Sequence, residues 1–273
     1  MYFIFMRHVC IKYVLFYILV NKKLSETLKI KKTLRIHGGR DIQSDEYPFV
    51  VMLAQIDTIY NWADRLCTGA MITDQWGLTA AHCSLFRNKY YVWYGNFTIS
   101  PVNSQLMTEI LKFVIHPSFR LLTLNNGKKD LQVENDVGLF RIHKLDFKHY
   151  GVLLAADYAS LLGLPVTYVG GGLTRNKMKV DDVFRPLQVG EATIVSCDEE
   201  LRSKSKYILC LAPKCSNRLQ RPWYGDSGGP LLCDGNIIGV CSYGIESKVM
   251  SKMAYAPVSP YIDWIYRVIN DTK

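Results

Sequence analysis

The sequence predicts an all-β protein, a sandwich or a barrel, whose chain ends in a single α-helix. Between residues 36 and 273, short runs of aliphatic, β-branched and aromatic residues are separated by turn residues, as at 49–53, 90–94 and 236–241. Many short strands at such spacing are typical of sandwiches and barrels. Of the 273 residues, 49% are hydrophobic and 21% are charged, which is the balance of a globular chain.

The C-terminal segment departs from the β pattern. Ser259 can cap a helix, and Pro260 suits a first helical turn. Apolar side chains then recur at helical spacing, at Tyr261, Trp264, Ile265, Val268 and Ile269. This spacing predicts one amphipathic helix docked on the β body. Residues 121–134, in contrast, show little pattern, and we expect a long surface loop there.

The basic character of the chain is concentrated at its N-terminus. Residues 1–35 carry +7 of the formal net charge of +9, which leaves +2 for residues 36–273. An apolar run at 13–20 is too short to span a bilayer and fits the hydrophobic region of a secretory signal. We therefore expect residues 1–20 to be a signal peptide or a signal-anchor, with Met6 as an alternative start. A basic leader does not indicate a nucleic-acid partner.

The cysteines indicate an oxidising compartment. One of the eight, Cys10, lies in the leader, and seven follow. None of the seven forms the paired C-x-x-C with matching histidines that holds zinc, so we expect disulfides and no metal. An odd count leaves at least one thiol free or paired outside the chain. Two N-x-T sequons, at Asn96 and Asn270, are compatible with secretion and with a glycoprotein.

The segment WYGDSGGP, residues 223–230, surrounds one serine with three glycines and a proline. Such residues are common in ordinary turns, but the glycines also allow a tight loop that exposes the hydroxyl of Ser227. Nucleophilic catalysis by a hydroxyl needs a base, and the base needs a third group to fix its tautomer. His82 in TAAHC and Asp136 in NDVGLF are candidates for these roles. Singly, each is more often a structural histidine or a turn acid; together with the serine segment they favour catalysis.

These three motifs make the sequence resemble the chymotrypsin/trypsin family of secreted serine peptidases. TAAHC, NDVGLF and GDSGGPL occur in that family's order, and the resemblance covers residues 36–273. It implies that Ser227 is the nucleophile, His82 the general base and later the acid, and Asp136 the buried acceptor that orients the imidazole. It also implies an oxyanion hole formed by the backbone N–H groups of Gly225 and Ser227.

The segment RIHGG, residues 35–39, is similar to the family's activation site. The resemblance implies that residues 21–35 are an activation propeptide and that cleavage follows Arg35. The new amino group of Ile36 would then pair with Asp226. A buried carboxylate needs such a partner, because leaving it unpaired costs several kcal/mol.

The architecture implied by the resemblance is a pair of packed six-stranded antiparallel β-barrels with a C-terminal helix, in which the triad lies between the barrels. The peptidase domain spans residues 36–273. The implied disulfides are Cys67–Cys83 and Cys197–Cys210, and the cysteines left without an assignment are Cys215, Cys233 and Cys241.

The resemblance also places several residues at the substrate: Arg221, Tyr224, Ser242, Tyr243, Gly244 and Met253. Trypsin-like members have an aspartate at the pocket base where this chain has Arg221, so we expect no preference for Lys or Arg before the cut. A guanidinium there would repel a basic side chain and could pair with an acidic one. The bulk of Met253, in place of a glycine, can restrict the pocket to small residues. Alternatively, the preceding loop is realigned and Arg221 points to solvent.

The sequence thus predicts a secreted, extracellular serine endopeptidase that is made as a zymogen and needs no cofactor. The expected partners are protein or peptide substrates, an activating protease and protein inhibitors, with no nucleic acid and no homo-oligomer implied. One alternative is a catalytically weak or silent homologue that acts by binding, which the departures around the pocket keep open. A generic β-rich secreted binding protein is less favoured, because it would not need an ordered triad.

Overall fold

The structure of the chain is a computed structural model. The described residues are 36, 39–43, 45–85, 89–125, 129–172, 183–214, 221–245 and 252–271. The predicted signal and propeptide lie outside them, as do Arg35 and Cys215. Within the described residues, no helix combines the length and the apolar character needed to cross a membrane.

Most of the regular structure is β-strand. The strands are β1 (Arg40–Asp41), β2 (Val50–Asp57), β3 (Trp62–Met71), β4 (Trp76–Thr79), β5 (Tyr91–Trp93), β6 (Met107–Ile115), β7 (Arg120–Asn125), β8 (Lys129–Glu134), β9 (Gly138–Ile142), β10 (Pro165–Gly170), β11 (Gln188–Val195), β12 (Leu209–Pro213), β13 (Pro230–Cys233), β14 (Asn236–Ile245) and β15 (Lys252–Pro257). The α-helices are α1 (Pro101–Ser104), α2 (Glu199–Arg202) and α3 (Ile262–Asn270), and the 3-10 turns are Ala81–Ser84, Tyr158–Leu161 and Ser259–Tyr261.

The strands form two antiparallel barrels. The first is closed in the order β2-β3-β4-β9-β6-β5. The second runs β11-β10-β13-β14-β15-β12, with β12 pairing back onto β11 and the short β1 added at the outer side of β11. The predicted fold class, two six-stranded barrels followed by a C-terminal helix, is confirmed.

The barrels and the last helix share one hydrophobic core. Leu53 of the first barrel, Val240 of the second, and Ile265 and Ile269 of α3 belong to one cluster of buried side chains. Burying an aliphatic side chain of this size stabilises a fold by about 1.5–3 kcal/mol. A second cluster fills the interior of the second barrel and includes Tyr255. The shared core holds the two barrels side by side, so a site formed at their junction is rigidly positioned.

Two expectations about local structure were wrong. Residues 121–134 are not an irregular loop, because β7 and β8 pair as an antiparallel hairpin from Arg120↔Glu134 to Asn125↔Lys129. The sequence does contain Asn126-Gly127 between these strands, a strong hairpin signal. The C-terminal helix does bury Ile265 and Ile269, but the side chain of Ser259 makes no cap, since a 3-10 turn precedes the helix.

Candidate active site

His82 lies on the 3-10 turn Ala81–Ser84, directly after β4. The disulfide Cys67–Cys83 joins this turn to β3. Gly138 at the start of β9 lets the turn approach closely, because a Cβ there would lie 3.2 Å from the backbone of the turn. The turn that carries the imidazole is therefore held by a disulfide on one side and by close backbone packing on the other.

Asp136 lies just before β9 and is 2% exposed. Its Oδ1 accepts a hydrogen bond from the backbone N–H of His82 at 2.9 Å, and its Oδ2 lies 2.8 Å from His82 Nδ1. The hydroxyl of Ser242, on β14 of the second barrel, also donates to Oδ2 at 2.5 Å. A buried carboxylate that accepts several hydrogen bonds stays ionised at low cost. This arrangement orients the imidazole with Nδ1 toward the acid and Nε2 left for another partner.

The pKa values of this pair move in opposite directions. Burial lowers the pKa of His82, but the charge and the hydrogen bond of Asp136 outweigh burial, so the pKa of His82 is raised above 6.5. Burial raises the pKa of Asp136, but attraction to His82 and the hydrogen bonds from His82 and Ser242 outweigh it, so the pKa of Asp136 is lowered below 3.8. The acid therefore stays ionised, while the imidazole is a stronger base than a free histidine.

Ser227 lies in the tight loop before β13 and is half-buried. Its carbonyl oxygen accepts a hydrogen bond from Thr68 N at 2.8 Å and lies 3.7 Å from Cys83 Sγ, next to His82. Gly228 follows with a φ of +77°, and a Cβ there would lie 2.0 Å from Thr79 Oγ1. Only glycine fits this approach, which brings the serine loop against the strand and the turn that carry the histidine.

The residues before Ser227 form a turn that suits an oxyanion hole. Asp226 N donates to Trp223 O at 2.9 Å, and Gly225 has a φ of +90°, as the third residue of a type II turn requires. The carbonyl of Gly225 accepts a hydrogen bond from Thr68 Oγ1 at 2.7 Å. The peptide units of this turn are thus fixed from outside, which is the preorganisation that oxyanion donors need.

Asp226 is 3% exposed, and backbone N–H groups bind both of its carboxylate oxygens. Gly172 N donates to Oδ1 and Trp223 N to Oδ2, each at 2.7 Å. Burial raises the pKa of Asp226 to about 6, although these bonds and the charges of Arg185 and Arg65 act to lower it. The carboxylate therefore stabilises the turn although its own ionised form is destabilised by burial. A further cation beside it would stabilise the ionised form.

Ile36 is 1% exposed and belongs to the hydrophobic cluster inside the second barrel, together with Tyr168 and Met253. The start of the predicted peptidase domain is thus seated in the barrel that carries Asp226.

The predicted substrate-binding residues lie on strands β14 and β15 and in the segment before Ser227. Ser242, Tyr243 and Gly244 are on β14, where Gly244 pairs with Met253 of β15. Met253 is 5% exposed, so its side chain is part of the barrel core. Tyr224 is 73% exposed.

Arg221 is half-buried, with its guanidinium carbon 4.7 Å from the centre of the Trp223 ring. The guanidinium therefore stacks on an aromatic ring and is not fully in solvent.

The structure contains the disulfides Cys67–Cys83 and Cys197–Cys210, and the thiols of Cys233 and Cys241 are buried and free. The sulfurs of Cys67 and Cys83 lie with a nitrogen of His82 within 4.8 Å of one another. Because the two sulfurs are bonded to each other, they offer no thiolate to a metal.

Three residues that organise the site were not predicted from the sequence: Arg65, Thr68 and Arg185. Each contacts the Gly171–Gly172 backbone across more than a hundred residues or from a loop, so no short motif reveals it. In the sequence, Arg65 is one of two adjacent charged residues of β3, after Asp64, and only the structure shows that it is 3% exposed. A charged residue inside such a strand is rarely buried without specific partners.

Comparison with known proteins agrees with this geometry. The profile of the family described as Trypsin matches residues 36–265. The chain is 28% identical over 256 residues to the snake venom serine protease NaSP of Naja atra, covering 92% of this chain and 84% of that protein. It is 26% identical over 243 residues to Trypsin V-A of Rattus norvegicus, covering 87% of this chain and 90% of that protein. The solved structure of neuropsin, a serine protease expressed in the limbic system of mouse brain, has a similar fold, with a TM-score of 0.66 at 23% identity over 85% of this chain and 98% of that one.

Proposed function

The chain belongs to the trypsin family and is a serine-type endopeptidase; from that premise we propose that it cuts protein substrates with His82, Asp136 and Ser227 through an acyl-enzyme. The observation that carries the proposal is the His82–Asp136 pair, joined by two hydrogen bonds and set against the backbone of the Ser227 loop. The proposal is also supported by Gly228, whose lack of a side chain lets the serine loop approach Thr79 and Ala80, the residues just before the turn that carries His82.

In the proposed mechanism, Ser227 Oγ attacks the scissile carbonyl while Nε2 of His82 takes its proton. Nδ1 is engaged by the Asp136 carboxylate, so Nε2 is the nitrogen that is free to act as base. The backbone N–H groups of Gly225 and Ser227 bind the oxyanion of the tetrahedral intermediate. His82 then returns the proton to the leaving amine, and water repeats the sequence to release the acyl group.

The protein is proposed to be a zymogen that an activating protease cleaves after Arg35. The new ammonium group of Ile36 would pair with the Asp226 carboxylate, whose pKa of about 6 reflects a burial that its present partners do not fully offset. An adjacent cation would lower that pKa and stabilise the turn before Ser227. Export is proposed from the leader, in keeping with relatives that are a venom protease and a trypsin. Protein inhibitors that occupy the substrate cleft are a further proposed class of partner.

Substrate preference is proposed not to be trypsin-like. Arg221 brings a positive charge beside Trp223, and the buried Met253 occupies space beside Gly244. Both features disfavour a long basic side chain before the cut. A profile of the activated enzyme on a peptide library would show small or acidic residues before the cut; enrichment of Lys or Arg would contradict the charge argument.

The test of the proposed activity uses the secreted chain, cleaved after Arg35, and a reactive fluorophosphonate. We expect Ser227 to be labelled, and Ser227→Ala to lose labelling and to reduce peptide hydrolysis by a factor on the order of 10⁶. Ser160→Ala is the control, because Ser160 is exposed and its hydroxyl donates to Asp157 O, at the start of its own 3-10 turn. We expect Arg35→Gln to stay uncleaved and inactive. If the cleaved chain is not labelled, the chain is a silent homologue that acts by binding.

A further inference from the structure

Two buried arginines lie against the backbone that supports Asp226. Arg65 and Arg185 are 3% and 4% exposed. Arg65 Nη1 donates to Gly171 O at 3.3 Å, and Arg185 Nη2 donates to Gly171 O at 3.1 Å and also to Gly172 O. Neither arginine belongs to the proposed triad or to the proposed activation site. Both guanidinium groups therefore converge on one peptide segment, which follows β10.

The position of Arg65 is fixed from two sides. Its Nη2 donates to Arg185 O at 2.6 Å and to Phe97 O at 2.9 Å. Its guanidinium carbon lies 4.7 Å from the centre of the Trp93 ring and 5.7 Å from that of Phe97. A guanidinium presents its donors in a rigid planar fork and stacks on aromatic faces, so such contacts order it at low entropic cost. Arg65 therefore links the first barrel to the Arg185 backbone and to Gly171.

The segment held by the arginines binds Asp226 directly. Gly172 N donates to Asp226 Oδ1 at 2.7 Å, and Asp226 precedes Ser227 in the chain. A Cβ on Gly172 would lie 2.6 Å from Asp226 Cγ, so the two groups are in close contact. Displacement of Gly172 would therefore displace the carboxylate, and with it the turn that begins at Trp223.

We infer that Arg65 and Arg185 are positioning residues of the reaction proposed above, an inference that rests on the proposed function. They bind the Gly171–Gly172 backbone and place positive charge beside the buried Asp226. In this way they stabilise the turn Trp223–Asp226, called the oxyanion turn below, in the conformation that the proposed reaction needs. Cleavage would bring the Ile36 ammonium to the Asp226 carboxylate, whose position the two arginines already stabilise. Charge and hydrogen-bond geometry both matter, because each guanidinium binds backbone carbonyls while its charge acts on the carboxylate.

The kinetic test compares Arg65→Met and Arg185→Met with Arg141→Met, all cleaved after Arg35. Arg141 is a matched control, since its guanidinium lies over the Trp76 ring at 5.8 Å and donates to Gln75 Oε1, away from Asp226. We expect the first two variants to lose at least about tenfold in kcat and in fluorophosphonate labelling rate, with KM within about twofold. Values of kcat equal to those of Arg141→Met would overturn the inference.

If a methionine variant does not fold, Arg65→Lys and Arg185→Lys replace it, with Arg141→Lys as the control. Lysine keeps the charge but lacks the planar fork, so we expect a partial loss of kcat. No loss relative to Arg141→Lys would overturn the inference.

A second measurement separates this inference from the proposed activity, because it needs no catalysis. The pKa of Asp226 is about 6, raised from 3.8, so its contribution to stability is present below pH 3.8 and is lost as the pH rises through about 6. The groups that face Asp226 are Arg65, Arg185, Tyr168, Cys241 and Tyr255.

Loss of either arginine would raise the pKa of Asp226 further. In the uncleaved Arg65→Met and Arg185→Met chains, the fall in unfolding midpoint should therefore continue to higher pH than in Arg141→Met. Asp226→Asn should remove this part of the pH dependence. If the methionine variants follow the Arg141→Met curve, the inference is wrong, even where the unmodified enzyme is active. If they differ as expected but the cleaved enzyme cannot be labelled, the proposed function fails and the contact stands.

Discussion

At the scale of single residues, the imidazole of His82 is tuned by one neighbour. Asp136 fixes the proton on Nδ1 and raises the pKa of the ring against the effect of burial. The Asp136 carboxylate accepts two hydrogen bonds from His82, and the hydroxyl of Ser242 from the opposite barrel donates a third. If His82 is the general base as proposed, its activity should be lost at acidic pH, where the imidazole is protonated.

The first prediction concerns Asp136→Asn. Without the carboxylate charge, the pKa of His82 falls, because burial then acts alone. The acid limb of the kcat/KM profile should move to lower pH, while the maximal rate falls by a factor of about 10⁴ because the wrong tautomer is favoured. The measurement is a pH profile of peptide hydrolysis by the cleaved enzyme.

Asp157→Asn serves as the control for this prediction. The Asp157 carboxylate is exposed and accepts a hydrogen bond from Ala159 N, at the 3-10 turn Tyr158–Leu161. Its substitution should leave both the limb and the maximum in place. An Asp136→Asn profile that superimposes on that of the control would contradict the role proposed for Asp136.

The catalytic candidates could be read from the sequence, whereas their supports could not. His82, Asp136 and Ser227 each lie in a short motif whose composition reports a local requirement for small residues or for a tight turn. Thr68 and Arg65 have no such motif, because the Gly171 backbone that both of them bind lies 103 and 106 residues away along the chain. Hydrogen bonds between a side chain and a distant backbone atom produce no periodic pattern in the sequence, so they cannot be predicted from it.

At the scale of elements, the candidate catalytic residues lie in turns and loops, and the strands on either side position these loops. The strand pattern predicted an all-β fold, and the amphipathic spacing predicted α3, because burial on one face imposes a period on the sequence. The β7–β8 hairpin was not predicted, although polar and apolar residues alternate from Asp130 to Glu134 as in a strand. The Asn126-Gly127 pair was the remaining local signal.

The second prediction concerns the end of β10. Gly172→Ala would place a Cβ 2.6 Å from Asp226 Cγ and from Tyr224 O, which neither group can relieve without moving the oxyanion turn. Overpacking of this kind costs about 1–3 kcal/mol of unfolding free energy. We expect the cleaved variant to fold but to lose most of its fluorophosphonate labelling.

Gly163→Ala is the matched control for steric crowding. Gly163 has a φ of +86°, and nothing lies within 4 Å of a Cβ there, so alanine adds backbone strain of about 1–2 kcal/mol without a clash. Denaturant unfolding should show similar destabilisation of both variants, whereas labelling should be lost only in Gly172→Ala. Equal labelling of the two would show that Gly172 has no part in shaping the turn.

At the scale of the whole molecule, the site is formed by both barrels. His82 and Asp136 come from the first barrel, and Ser227 and Ser242 come from the second. The junction between the barrels is stabilised by hydrogen bonds as well as by the shared hydrophobic core. Thr68 of β3 is the clearest of these links, since its backbone N–H binds Ser227 O and its hydroxyl reaches two further groups of the second barrel.

The last prediction tests that link with Thr68→Val. Thr68 is fully buried, and its hydroxyl donates to Gly225 O at 2.7 Å and accepts from Gly171 N at 3.2 Å. Valine has nearly the same shape, so the packing is kept while two buried backbone groups lose their partner. Each unsatisfied group costs about 1–3 kcal/mol. A lower unfolding free energy should accompany a fall in kcat of about tenfold at constant KM, because the freed Gly225 peptide no longer holds the oxyanion donors in place. Thr68→Ser keeps the hydroxyl and loses only a methyl group, so it should retain most of kcat. Identical kinetics of the valine and serine variants would contradict this role of the Thr68 hydroxyl. They would mean that hydrophobic packing alone positions the oxyanion turn.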